Sequence, residues 1–304
     1  MSLNLATDPD FKQDNAIDPQ NEQRVLTWKM RISGAPFMVK ISFTFICLMV
    51  FLAIFAQAIS PHDIAELDLL NRFAPPVFMG GSWSNILGTD NLGHDVFSLC
   101  LRGIQISLAI AAIGTLVGAI FGTSLGFIAA WAGGWIDDFI GILIDFQAAI
   151  PFLVMALALL AVMPQADITL FILIMCIYGW ERYARLARSV ALSAKNDGYV
   201  TAQTILGASA FRTYLRHVLP NTMAVIVVNM TINFPSTILA ESSLNFLGIG
   251  IQPPDTSLGV LIGIGRDYLY KAPWLALTPG FIILFITLAI SIVGDWTRDQ
   301  LDVD

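Results

Sequence analysis

The sequence predicts an all-α, polytopic membrane protein with six transmembrane helices. Three observations carry this. The 304 residues are 56% hydrophobic and 13% charged, with a mean hydropathy of +0.71, whereas a soluble domain is about 45–50% apolar. The apolar residues are gathered in uncharged runs near the ~20 residues that a helix needs to cross a hydrocarbon core. The 16 Lys and Arg residues are spread unevenly among the segments between those runs, a pattern that fixes orientation.

Residues 1–38 read as a polar tail, too long to be the charged start of a secretion signal. No small-residue cleavage site follows the first apolar run, so that run is expected to stay in the protein. Residues 39–304 then form one transmembrane domain. Its first span is 41–59. Residues 60–102 are mixed and contain Pro61, Pro75, Pro76 and the turn-rich GTDNLGHD from Gly88 to Asp95, as expected of an extramembrane connection with at most one short amphipathic helix.

The second span, 103–132, repeats Gly114, Gly118, Gly122 and Gly126 at four-residue spacing. That spacing lines one helical face with hydrogen and lets another helix approach closely. A third span, 139–163, is interrupted by Asp145 and kinked near Pro151. The fourth begins with 167–180, whose uncharged part is short, so its helix is expected to run on through Glu181, Arg182, Arg185 and Arg188. The fifth, 222–240, contains Pro235. A Gly- and Pro-rich connection at 241–271 leads to the sixth, 272–294, and a short polar tail.

With six spans both termini share a side. That side carries twelve basic residues, six of them in the long segment between spans four and five, and the other side carries four. The termini and the long segment are therefore expected in the cytoplasm.

The same residues exclude several chemistries. Much of the acid behind the net charge of -7 sits in the N-terminal tail and at the extreme C-terminus rather than on one face, so the charge says little about partners, and nucleic acid is not expected to be one. A P-loop needs Gly immediately before its Lys, and none of Lys12, Lys29, Lys40, Lys195 and Lys271 has one. Any ATP that drives this chain must be bound by another polypeptide. His62, His94 and His217 are widely separated, and Cys47, Cys100 and Cys176 have no CxxC spacing, so neither a metal site nor any other cofactor site is expected.

Ionisable residues within spans default to functional candidates. Asp145, near the cytoplasmic edge, fits a structural ion pair or a gate hinge, with direct solute contact as the alternative; Pro151 is the adjoining hinge candidate. Glu241, at the outer end of the fifth span, fits a hydrogen bond to the following loop, or contact with a cationic group entering from outside. Asp90 and Asp95 fit turn capping, with a weak cation site as the alternative.

The stretch DGYVTAQTILGASAFRTYLRHVLPN, Asp197 to Asn221, is polar and basic between apolar runs. Tyr199, Ala202 and Leu206 recur at helical spacing, Gly207 suits a left-handed helix end, and Ser209 can cap a second helix. In that second helix Phe211, Tyr214, Leu215, Val218 and Leu219 make one apolar stripe, which Pro220 ends. The stripe needs a partner surface: either the membrane face or another protein.

Gly207 followed by Leu219-Pro220, with Thr201-Ala202-Gln203 upstream, is similar to the coupling-loop motif of bacterial ABC importer permeases. Thr201 and Gln203 stand where that family usually has Glu and Ala. Further stretches carry the resemblance in order: GTDNLGHDVFS at 88–98, GGWIDDFIGILIDFQAAIP at 133–151, YARLARS at 183–189, LAESSLNFLGIGIQPP at 239–254, APW at 272–274 and GDWTRDQLD at 294–302. His94 takes a place where the family usually has Arg.

Together these stretches resemble the C-type permease subunit of the dipeptide/oligopeptide/nickel importer family. The resemblance implies a type I importer permease in the bacterial inner membrane, surrounded by lipid. Its implied partners are a second homologous permease, two ATPase subunits and a periplasmic or extracellular solute-binding protein. It further implies a coupling loop at about 182–221, with Thr201, Ala202, Gln203, Gly207, Ala208, Phe211, Tyr214, Leu215, Leu219 and Pro220 at the ATPase contact. The implied solute is a di- or oligopeptide, with nickel or another small solute as the alternative. From the residues alone, a proton-coupled secondary transporter using Asp145 and Glu241 remains a competing reading.

Overall fold

The computed structural model describes residues 34–64, 66–162, 168–194, 218–252 and 255–302. Their regular secondary structure is helical, with one isolated bridge between Thr89 and Asp95. Pro36 introduces α1, Phe37–Ile54, and its carbonyl accepts from the Val39 and Lys40 amides. A break at Phe55 separates it from the short α2, Ala56–Ile59. The expected first span is therefore present, displaced toward the N-terminus and broken near its end.

The longest helix, α3, is Val96–Ala132. It begins seven residues before the apolar run because Asp95 caps it, accepting from the Ser98 amide at 2.9 Å, which satisfies one of the orphan donors of the first turn. At 37 residues it is about 55 Å long and outreaches the ~30 Å hydrocarbon core. It ends at Gly133, whose φ of 62° is a conformation that side chains with a Cβ rarely adopt.

Next come α4, Gly134–Ala149, and α5, Phe152–Val162, which meet at 91° across Ile150 and Pro151. The kink expected near Pro151 is a full break. Beyond them, α6 is Ile168–Ile177 and α7 is Trp180–Ala194. The expected continuous fourth helix does not form, because Gly179 adopts φ 80° and ends the run after ten residues. The remaining helices are α8, Leu219–Phe246, α9, Leu258–Arg266, and α10, Trp274–Asp302.

Among the described residues four helices are long and apolar enough to cross a membrane, or five if the bent α4–α5 pair makes one span. The expected count of six spans is thus not confirmed among the described residues, where α6 by itself is ten residues long. The connection at 241–271 also holds a helix, α9, that its glycines concealed, and α10 runs to Asp302 through the expected polar tail.

The glycine repeat of α3 is the seam that organises the bundle. A Cβ at Gly114 would sit 3.0 Å from the Met175 carbonyl of α6, one at Gly118 would sit 3.4 Å from the Tyr178 carbonyl, and those at Gly122 and Gly126 would strike the Trp180 and Ala184 carbonyls of α7. Small residues thus let the broken α6–α7 pair lie backbone to backbone on α3. On its other faces α3 meets α1, α8, α9 and α10. Ile104 and Ala111 of α3 pack with Met49, Ile238, Leu258, Ile283 and Ile286, and Ile106 and Ile110 pack with Phe171, Ile174, Met175 and Leu244.

Candidate functional site

Of the expected coupling residues, Thr201, Ala202, Gln203, Gly207, Ala208, Phe211, Tyr214 and Leu215 lie outside the described residues. Leu219 and Pro220 open α8, where Pro suits the first turn because no amide partner is lost there. The two ends that flank the stretch are held together: Ala191 and Ala194 of α7 pack with Val218 and with Ala130 of α3.

Beside this point, polar side chains tie α4 to α7. Arg188 donates from Nε and Nη2 to the two carboxylate oxygens of Asp137, at 2.5 and 2.7 Å. Such a two-pronged bond is strong and directional. One turn along, Arg185 Nη2 donates to Asp145 Oδ1 at 3.2 Å, with the Asp145 side chain 80% exposed. The ion pair anticipated for Asp145 is thus present, and it is an open one.

Further along, the two helix breaks meet. Phe152, just past Pro151, packs on Tyr178, just before Gly179, with ring centroids 4.4 Å apart. Arg182 follows on α7. Its Nη1 donates to Asn233 Oδ1 of α8 at 2.8 Å, its Nε is 3.6 Å from Glu181, and its Cζ lies 5.7 Å from the centre of the Tyr178 ring. Sequence reasoning missed this contact, although an Asn inside an apolar span, two residues before Pro235, was a legible signal.

Glu241 lies on α8 and is fully buried. Ser107 of α3 and Ser242 donate to its Oε2 at 3.2 and 3.0 Å, and Asn245 donates to Oε1 at 2.6 Å. The network reaches onward. Asn245 Oδ1 accepts from the Ile251 amide at 2.7 Å, and Ser107 Oγ accepts from the Leu258 amide at 3.2 Å. One carboxylate therefore fastens α3, α8, the loop after α8 and the start of α9. The hydrogen bond to the following loop expected of Glu241 runs through Asn245. Gly259 makes the fit possible, since a Cβ there would lie 2.6 Å from Ser242 Cα.

At the same end of the bundle, Asp90 accepts from the Leu92 and His94 amides at 2.8 and 2.9 Å and contacts His94 Nδ1 at 2.8 Å. Asp95 caps α3 and accepts from Asn85 at 3.2 Å. These are turn and helix caps, as the residue pattern suggested. Between this connection and α9 lies a cavity of about 430 Å³, lined by Leu67, Leu92, Leu99, Leu261 and Ile264, with Asp90 and Asp255 among its polar residues.

Comparison with known proteins gives a consistent answer. Residues 122–303 match the family described as binding-protein-dependent transport system inner membrane component. The dipeptide transport system permease protein DppC of Haemophilus influenzae is 36% identical over 265 residues, covering 86% of this chain and 89% of the relative. The di/tripeptide transport system permease protein DppC of Pseudomonas aeruginosa is 37% identical over 259 residues, covering 85% of each. Among solved structures, an inward-facing conformation of the MetNI methionine ABC transporter superposes with a TM-score of 0.54 at 18% identity, over 66% of this chain and 95% of that one.

Proposed function

Because the chain belongs to the binding-protein-dependent transport system inner membrane component family, we propose that it forms half of the translocation pathway of an ATP-driven importer for di- or oligopeptides. The observation that carries the solute class is the extent of its likeness to dipeptide and di/tripeptide permeases, which spans more than four fifths of this chain. The other half of the pathway comes from a second, homologous permease. Two ATPase subunits bind and hydrolyse ATP on the cytoplasmic side, and an external binding protein delivers the peptide.

Both termini lie in the cytoplasm, following the excess of basic residues on that side. Residues 182–221 form the coupling loop, with Thr201, Ala202, Gln203, Gly207, Ala208, Phe211, Tyr214, Leu215, Leu219 and Pro220 at the ATPase contact. The joint packing of Ala191, Ala194 and Val218 on Ala130 supports this role, because a push on the loop reaches α7, α8 and α3 together. A movement of α7 then loads the Asp137 and Asp145 ion pairs and the break at Pro151, which acts as the gate hinge. On the outer face, Glu241 holds α9 and the loop before it as the surface that meets the binding protein.

The experiment is uptake of a labelled dipeptide into proteoliposomes holding the complete complex and its binding protein. ATP-dependent accumulation is expected, and none is expected from this chain alone without ATP. Uptake by the isolated chain, driven by a proton gradient, would establish a secondary transporter instead. Gly207→Asp should leave insertion and assembly intact while abolishing uptake, because the left-handed turn that glycine permits is lost. Normal uptake by that variant removes the coupling role.

A further inference from the structure

We propose that residues 73–89 anchor this end of the bundle in the lipid headgroup layer, with Arg72 and Lys271 on the phosphates of phospholipids. The stretch FAPPVFMGGSWSNILGT, between α2 and α3, holds no charged side chain. Its backbone is folded: Val77 donates to the Ile86 carbonyl at 3.1 Å, Gly81 to the Pro76 carbonyl at 3.0 Å and Gly88 to the Asn85 carbonyl at 2.9 Å. Three apolar side chains nevertheless stand out from it, with Phe78 72%, Met79 53% and Trp83 80% exposed. A fixed apolar surface of this kind needs a cover.

These side chains are held close to the bilayer. Asn85 donates to Asp95, the cap of α3, at 3.2 Å, and the Trp274 indole donates to the Thr89 carbonyl at 3.3 Å. Trp274 is the first residue of the α10 span. The loop is thus tied to the first turns of two membrane-crossing helices, where aromatic residues gather at the headgroup level. Leu87 extends the apolar surface toward the bilayer core. It lines a groove of about 340 Å³ with Phe45 and Met49 of α1, Phe97 of α3, and Phe281 and Phe285 of α10. Phe281 and Phe285 are exposed and lie two and three turns into α10, at the depth of the acyl chains. The groove below Leu87, which a docked extracytoplasmic protein would not reach, favours lipid over protein as the cover.

The charges stand where phosphates would be. Lys271, three residues before Trp274, places Nζ 3.9 Å from the centre of the Phe73 ring, and Arg72 Cζ lies 5.8 Å from the same centre. A ring face positions a cation without cancelling its charge. Both residues are exposed, and among the described residues neither is ion-paired with a carboxylate. Cations at the edge of an apolar surface match a phospholipid, whose phosphate adjoins its chains.

The test places a fluorescent non-natural residue at position 83 of the chain, within the assembled complex in nanodiscs. Phospholipids brominated near the glycerol end of their chains should quench it by about half, and adding the binding protein should leave that quenching unchanged. Arg72→Glu combined with Lys271→Glu should lose most of the quenching in phosphatidylglycerol discs and little in phosphatidylcholine discs, because only the former repel the new carboxylates. Binding-protein-stimulated ATP hydrolysis shows that this variant has assembled. Wild-type fluorescence that brominated lipid leaves unchanged overturns the proposal, whether or not the double variant assembles. Quenching that the binding protein abolishes gives the surface to that protein, and quenching seen in the isolated chain but lost in the complex gives it to the second permease; both overturn it as well. A double variant quenched like the wild type in phosphatidylglycerol overturns the assignment of phosphate to Arg72 and Lys271.

Discussion

Arg188 and Asp137 face each other across the α4–α7 contact with both prongs of the guanidinium engaged, at 2.5 and 2.7 Å. The Asp137 side chain is 17% exposed and that of Arg188 37%, so water screens the pair only in part. Asp137→Asn should destabilise the purified chain by about 1–2 kcal/mol, and Arg188→Gln by a similar amount. In thermal unfolding the double variant should cost less than the two single changes together, as it does for residues in contact. Strict additivity would mean that the pair contributes nothing.

Glu241 supports a larger effect. Glu241→Leu deprives Ser107, Ser242 and Asn245 of their shared acceptor inside a buried site and should cost about 3 kcal/mol or more. Glu241→Gln keeps an acceptor oxygen and should cost roughly half as much. Hydrogen exchange at the Ile251 amide, which bonds to Asn245, should quicken in both and more in Leu. An unchanged rate there would show that the network does not hold the loop.

The α3 seam predicts a contrast between two glycines. Gly122→Val drives a side chain into the Trp180 carbonyl and the Tyr183 Cβ and should cost several kcal/mol, on the order of 3, seen as loss of monodisperse protein in detergent. Gly141, on α4, has no neighbour where a Cβ would go. Gly141→Ala should raise stability by roughly 0.5–1 kcal/mol, the gain in helix propensity.

Capping by Asp95 can be tested in the same assay. Asp95→Ala removes the acceptor for the Ser98 amide and for the Asn85 side chain and should cost about 2 kcal/mol. Asp95→Ser retains a cap and should cost less. Equal losses would place the effect outside the helix terminus.

Much of this molecule is written locally. Length and polarity mark where α1, α3, α8 and α10 lie, because a bilayer demands runs of apolar sequence of nearly fixed length. The four-residue glycine spacing marks the face of α3 on which something must pack, and Asp90 and Asp95 announce their caps because a cap acts within a few residues. The partners of these features are not local. That α6 and α7 occupy the glycine face, that Asp137 meets Arg188 across 51 positions, and that Arg182 finds Asn233 depend on where whole helices come to rest. The break at Gly179 and the helix at Leu258–Arg266 are of the same kind. A glycine permits several backbone conformations, and only the packing of its neighbours selects one. Composition and periodicity thus determined that the chain lives in a membrane and roughly where its long helices lie; tertiary contact decided which helices pack together and which charges are clamped.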